Sequence, residues 1–289
     1  MDKRSEKVIK QPSDITYNYA TINVTQSRID KGLLAIPVGL AESFPKQNKD
    51  VEVFLDNSPV SQPKRYSSYN SSTHECRIGG LKEWFVHNDI ERGDEIVVQF
   101  LDKKHFIYRL IPEKKFIFTT KDIQKDFDNA RTEREASSKV QTLSNWTLSD
   151  EKEVVLNEFQ RLTDIPATEE RLYTRRNSVR LRESVPANLR ALLSKIYKGN
   201  CQICDFGFLR QDKQPYFEIH HIDPNKGHHP KNVIVVCGNC HNQFEYANVQ
   251  KENDEENWLI RVFFNEEMYL VKQILPSLKK EGFIKETFI

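Results

Sequence analysis

Four of the chain's five cysteines fall into two Cys-x-x-Cys pairs, Cys201-Gln-Ile-Cys204 and Cys237-Gly-Asn-Cys240, with 32 residues between them. Each pair can set two thiolates on one ion at about 2.3 Å, and two pairs close a tetrahedral shell. A closed shell has no place for water or substrate, so zinc held there would be structural, anchoring a segment otherwise short of apolar mass. Between the pairs runs Tyr216-Phe-Glu-Ile-His220-His221-Ile-Asp-Pro224, a strand-like stretch with adjacent histidines closed by a turn signal. Neighbouring strand residues point to opposite faces. The two imidazoles therefore cannot chelate one ion symmetrically, and two roles are implied: one histidine on a divalent metal, the other activating water. Asn232 precedes an apolar run that leads into the second cysteine pair, and His241 directly follows Cys240, where a helix should start.

The elements that must position these groups are strand, loop, strand and helix, in that order. Before them, Pro186 opens a helix with Leu189, Leu192, Leu193, Ile196 and Tyr197 on one face, ended by Gly199. After them, 258–264 reads as a strand and 268–275 as a helix, which either complete this domain or form a dimer contact. Residues 113–185 are charged and helical in texture. Ser149 ahead of Asp150 and Glu151 reads as an N-cap, and Val154, Val155, Phe159 and Leu162 follow at helical spacing. Residues 15–112 alternate β-rich runs, at 21–24, 33–37, 51–55, 95–100 and 106–111, with turn formers, which suits a barrel or sandwich. Gly93-Asp94 is a turn signal there, and Cys76 reads as a small buried apolar residue. The expected class is α+β multidomain: a disordered stretch at 1–14, a β-barrel or sandwich at 15–112, a helical connector at 113–185 and a zinc-stapled strand–loop–strand–helix domain with a C-terminal extension at 186–289.

Lysine and arginine number 43 against 42 acids, a net charge of +1, so bulk charge does not argue for a nucleic-acid partner. Its distribution does. Between 171 and 200, Arg171, Arg175, Arg176, Arg180, Arg182, Arg190, Lys195 and Lys198 face one acid, Glu183, whereas 251–257 is acidic. Such a stripe reads as a phosphate footprint, a solvated helix face being the alternative. The first residues lack an apolar signal core, and no apolar stretch approaches the ~20 residues of a membrane helix. A soluble, cytoplasmic protein without a membrane partner is expected, in a reducing compartment where paired cysteines bind metal.

Cys201-x-x-Cys204, His220-His221-Ile-x-Pro224, Asn232 and Cys237-x-x-Cys240-His241 together resemble the zinc-bearing branch of the HNH (ββα-metal) endonuclease family, over residues 186–248. The resemblance implies His220 and His241 as ligands of a catalytic divalent cation, Mg²⁺ or another. It implies His221 as the general base, and Asn232 as the residue that holds the ββ loop and orients His221. Cys201, Cys204, Cys237 and Cys240 would hold structural Zn²⁺. Some relatives carry a further histidine four residues after the last; here that place is Glu245. It shares a helix face with His241 and would ligate the metal, orient His241 or simply face solvent. His228 and His229 read as solvated loop residues, and Glu218, on the strand face of His220, as support behind the ligands.

The 34–37 strand leading to Phe44-Pro45, the 66–72 loop, and Leu81-x-x-Trp84-Phe85 before Gly93-Asp94 resemble the B-three DNA-binding pseudobarrel. That family comprises plant transcription factors and the target-reading halves of some bacterial restriction enzymes. Two arms clasp the major groove in it. Mapped here, they are Gln26, Ser27, Arg28 and Lys31, then Lys64, Arg65, Tyr66, Tyr69, Asn70, Ser71 and Ser72, types suited to base edges and phosphates. Arg175, Arg176, Arg180 and Arg182 would add phosphate contacts. The resemblances imply a metal-dependent, type II restriction-like endonuclease that hydrolyses double-stranded DNA at a short site chosen by the N-terminal domain. Its setting would be a prokaryotic cytoplasm, with a homodimer and a cognate methyltransferase as candidate partners. A nuclease that requires modified cytosine is the near alternative. Further ones are a non-catalytic DNA-binding regulator with a structural zinc ribbon, and an RNA-directed nuclease, disfavoured because the major groove of RNA does not admit such arms.

Overall fold

The computed structural model describes residues 9–10, 15–68, 75–167, 173–176, 179–182 and 184–280. Two compact units emerge, one of 1–125 with 145–149, the other of 126–144 with 150–289. Among the described residues no helix is long and apolar enough to cross a membrane.

The first unit begins with β1 (Ile9–Lys10), β2 (Tyr19–Asn23), α1 (Gln26–Lys31), β3 (Leu34–Ala35) and α2 (Val38–Ala41). It continues with β4 (Lys49–Leu55), β5 (Gln62–Ser67), β6 (Arg77–Ile78), α3 (Lys82–His87), β7 (Glu95–Asp102) and β8 (Ile107–Pro112). The strands form one sheet in the order β1-β2-β7-β8-β4-β5-β6-β3, curled into a nearly closed barrel, with β4 and β8 its parallel pair. Alternation drives the curl: in β4, Val51, Val53 and Leu55 turn inward while Asp50 and Glu52 face water. The centre is aromatic, with Phe44 stacked on Tyr108 at 4.5 Å and on Tyr66 at 5.6 Å. Cys76 lies in this core, 3% exposed, as its reading as a small apolar residue expects. The 33–37 run is a strand only over Leu34–Ala35. Within the stretch read as disordered, Ile9–Lys10 pairs with Ala20 and Tyr19 of β2.

Three helices follow, α4 (Glu113–Asp128), α5 (Glu133–Thr147) and α6 (Glu151–Asp164). The cap of α6 is Asp150 rather than Ser149: its carboxylate accepts from the Glu153 amide, the shorter reach to the first turn. The basic stretch that follows is not helical. β9 (Tyr173–Arg176) and β10 (Val179–Arg182) form an antiparallel hairpin pairing Arg176 with Val179. Two four-residue runs flanking Asn177-Ser178 fit a tight hairpin better than a helix.

The second unit continues with α7 (Ala187–Tyr197), β11 (Phe208–Leu209), β12 (Pro215–Tyr216), β13 (Glu218–His221), a 3₁₀ turn at Pro230–Asn232, β14 (Val233–Val236) and α8 (Gly238–Tyr246). Gly199 leaves α7 at φ 80°, where any Cβ would collide with Pro215. β15 (Val249–Asn253), β16 (Leu259–Phe264) and β17 (Glu267–Leu270) make an antiparallel sheet, followed by α9 (Ile274–Lys280). The helix expected from 268 is therefore displaced. Asn265 at φ 56° turns the chain back, and Met268 pairs with Phe263. Leu259, Val262, Phe264 and Val271 share one core with Cys201, Cys237 and Cys240, so this segment completes the domain.

Candidate metal centres and active site

The two cysteine pairs converge. Their four sulfurs lie within 4.8 Å of one another, and Cys204 Sγ is 3.6 Å from Cys237 Sγ. Zn–S bonds of about 2.3 Å in a tetrahedron give an S···S edge of about 3.8 Å, so the donor set fits zinc. Hydrogen bonding from Cys240 draws the Cys201 thiol down to about 4, and the same contact pushes Cys240 up. The cluster is wired in by Gln202, which sequence reasoning passed over. Its backbone N–H donates to Val235 O at 2.9 Å and its Oε1 accepts from Val235 N at 2.7 Å. Its Nε2 donates to Lys272 O at 2.6 Å.

β13 and β14 pair in the register Glu218↔Val236 to His221↔Val233. Alternation along β13 turns Glu218 and His220 to one face and Ile219 and His221 to the other. On the first face α8 brings up His241 and Glu245, and donor atoms of His220, His241 and Glu245 all lie within 4.8 Å of one another. The His220 ring stacks on Phe244 at 3.9 Å. Burial, helped by the charges of His241 and Lys251, lowers its pKa to about 3, so the ring is neutral and keeps a lone pair with which it could meet a cation. Glu218, named on strand alternation alone, takes a definite part. It accepts from His241 Nδ1, and Tyr216 Oη donates to its other oxygen at 2.6 Å. These two bonds, Tyr216 first, hold the Glu218 carboxyl below its usual range. With Nδ1 engaged, His241 presents Nε2 to a cation.

His221 is 7% exposed and shares a 2.9 Å hydrogen bond, Nε2 to Nδ1, with His228. It lines a cleft of about 790 Å³ with Ile219, Arg131, Glu133, Pro186 and Arg190. Asn232 is clamped across the loop. Its Oδ1 accepts from Asp223 N at 2.8 Å, and its Nδ2 donates to Asp223 O and Gly227 O, both at 3.0 Å. His228 and His229, expected as solvated loop residues rather than ligands, lie outside the metal-type groups but are half-buried and hydrogen-bonded. His229 Nε2 donates to Thr163 O at 3.1 Å and Ile165 O at 3.0 Å, satisfying carbonyls at the end of α6. Neither contact shows in local sequence, because each partner is remote or set by loop closure.

The candidate DNA residues divide. Gln26, Ser27 and Lys31 are exposed on α1, and Arg65 is exposed on β5. Arg28 is ion-paired with Glu75, and Lys64 Nζ donates to Gly80 O at 2.8 Å. Tyr66 is a correction: fully buried against Phe44, its ring cannot reach a groove. Tyr69, Asn70, Ser71 and Ser72 lie outside the described residues. Arg175, Arg176, Arg180 and Arg182 fall on the β9–β10 hairpin, not on a helix. Of the other bases in the stripe, Arg190 pairs with Glu133 at 2.5 Å and Lys195 with Glu151. The stripe is thus less free for phosphate than its sequence suggests.

Residues 201–246 match the HNH endonuclease family. That span opens at the first zinc-type cysteine and closes at the end of the helix carrying His241 and Glu245, so this chain carries an HNH nuclease domain. No curated protein matches the sequence significantly. Among solved structures, the DNA complex of Arabidopsis FUS3 is similar at 13% identity, TM-score 0.27, covering 32% of this chain and 92% of that one. The DNA complex of the Arabidopsis thaliana transcription factor LEC2 is similar at 18% identity, TM-score 0.27, covering 32% and 88%.

Proposed function

We propose that the protein is a divalent-metal-dependent DNA endonuclease of restriction type, cutting duplex DNA at a site selected by its N-terminal barrel. The observation that carries this reading is the division of labour along β13. His220, with His241 and Glu245, offers a cation-sized donor set on one face, and His221 lines a cleft from the other. Phosphodiester hydrolysis needs both parts, a base for water and positive charge on the phosphoryl oxygens. His221, fixed by its bond to His228, takes the proton from the attacking water. Asn232 sets the loop that follows it, and Glu218 holds His241 in one tautomer and one orientation. A bound Mg²⁺ or Mn²⁺ would polarise the phosphoryl group and neutralise the leaving oxygen. Structural zinc on the four cysteines keeps the second knuckle, and hence α8, in place. Exposed Gln26, Ser27, Lys31 and Arg65 support duplex reading by the barrel, Gln and Arg being the types that pair with purine edges.

The test is incubation of the purified protein with methylated and unmethylated plasmid in Mg²⁺, Mn²⁺ or EDTA, beside His221→Ala. Discrete metal-dependent fragments that vanish in the variant support the nuclease. Their dependence on methylation separates a site-specific enzyme from one that requires modified cytosine. Binding by both proteins without cutting on any DNA refutes the reading in favour of a regulator with a structural ribbon.

A further inference from the structure

We propose that Lys251, supplied by β15 from outside the matched 201–246 segment, is a phosphate-binding cation of the active site, meeting a non-bridging oxygen of the DNA phosphodiester held at the His220–His241 face. The inference rests on the nuclease reading. Its ammonium donates to Ile222 O at 2.5 Å, the carbonyl of the residue that directly follows His221. The same ammonium lies 6.0 Å from the centre of the Phe244 ring, the ring that stacks on His220. Lys251 is thus tied at once to the strand end that carries the base and to the aromatic that backs a metal ligand. One of its three N–H groups is used on Ile222 O. Donors remain for a phosphate oxygen, and the full positive charge sits where negative charge develops in the transition state.

The neighbourhood agrees with this role. Partial burial, the larger effect, draws the pKa of its ammonium below the usual lysine value, and against it the Asp223 carboxylate favours the charged form. A carbonyl cap alone has no use for a cation beside a metal site, because the charge opposes metal binding. A phosphate site does use it, since the anion bridges the two positive centres. The position is set by register: Lys251 pairs with Val262 of β16, whose side chain is in the core shared with the cysteines.

The experiment compares the full-length wild type, Lys251→Met and Lys251→Arg. Single-turnover plasmid cleavage is measured in Mn²⁺, DNA binding without added divalent cation or chelator over a range of salt, and Mn²⁺ affinity and melting temperature without DNA. Lys251→Met should cut on the order of a hundredfold more slowly and reduce the slope of log affinity against log salt by about one. It should bind Mn²⁺ at least as tightly as wild type and melt close to it, and Lys251→Arg should restore most of the cleavage. Unchanged cleavage and salt slope in Lys251→Met overturn the proposal. So does an equal loss in both variants with a lower melting point and weaker Mn²⁺ binding, which marks a purely structural lysine. A wild type that cuts no DNA overturns the nuclease reading itself, a result separate from any difference between the variants.

Discussion

Asn232→Ala removes three hydrogen bonds at once, one from the Asp223 amide and two to the carbonyls of Asp223 and Gly227. Asn232 is 8% exposed, so the side chain works almost out of water. At about 1 kcal/mol net for each bond the upper figure is about 3 kcal/mol. The loop groups it serves are half-buried, and water can reach part of what alanine leaves unpaired. A loss of about 2–3 kcal/mol follows, a fall in melting temperature of about 5–10 °C for a unit of this size. Activity should suffer more than stability. The loop leaves directly from His221, and misplacing a base by about 1 Å costs on the order of a hundredfold in rate. Differential scanning fluorimetry and timed plasmid cleavage read the two effects separately. Asn232→Asp tests the geometry further, since it keeps the acceptor for Asp223 N and sets a carboxylate against two carbonyls. A Asn232→Ala protein that melts within a degree of wild type and cuts at the same rate would refute the clamp.

Replacing Glu218 with Gln takes the negative charge from behind His241, and Mn²⁺ affinity measured by titration should weaken about 10- to 100-fold. Tyr216→Phe, which leaves the carboxylate in place, should weaken it less. Stripping zinc with a strong chelator, followed by elemental analysis and a melt, should remove one zinc per chain and destabilise the 126–144 and 150–289 unit; Cys204→Ser should do the same in milder form. Phe264→Ala empties a 3%-exposed site in the core behind Phe244, with an expected cost of about 3–5 kcal/mol by chemical denaturation. Tyr66→Phe should leave DNA affinity unchanged in a gel-shift assay, because the ring is fully buried, whereas Arg65→Ala and Lys31→Ala should each lower the salt slope by about one.

The chemistry-bearing core of the site was legible because covalent spacing and strand alternation decide it locally. Two cysteines three apart must share a knuckle, adjacent strand histidines must part, and His241 with Glu245 must share a helix face. The barrel's strands were legible for a like reason, since Val51, Val53 and Leu55 alternate whatever they pack on. What escaped depends on pairing between distant segments. Tyr216 matters only because its hydroxyl reaches Glu218, whose other oxygen meets His241 on α8. Lys251 is brought beside Ile222 and Phe244 by pairing with β16, and the bonds of His229 form only because α6 ends beside it. Tyr66 reads as a groove contact because it falls in the arm mapped from the B-three resemblance, and the mapping does not show which way a strand residue faces. Residues 173–176 and 179–182 read as part of a helical connector because the charged run carries no clear apolar period, and only their pairing shows the strands.

The route by which Gln202 ties the first knuckle to Lys272 has a bearing on synthesis. Every group that resembles the catalytic set is translated by residue 246, yet the strands closing over the cysteines lie between Leu259 and Leu270, and the Gln202 contact waits for Lys272. The chain therefore makes its reactive groups before it makes the frame that aligns them. A polypeptide stopped after Tyr246 should be open to proteases in its second unit and cut no DNA, which limited digestion and a cleavage assay would show. On the proposed nuclease reading, activity would therefore have to wait until the last sheet is in place.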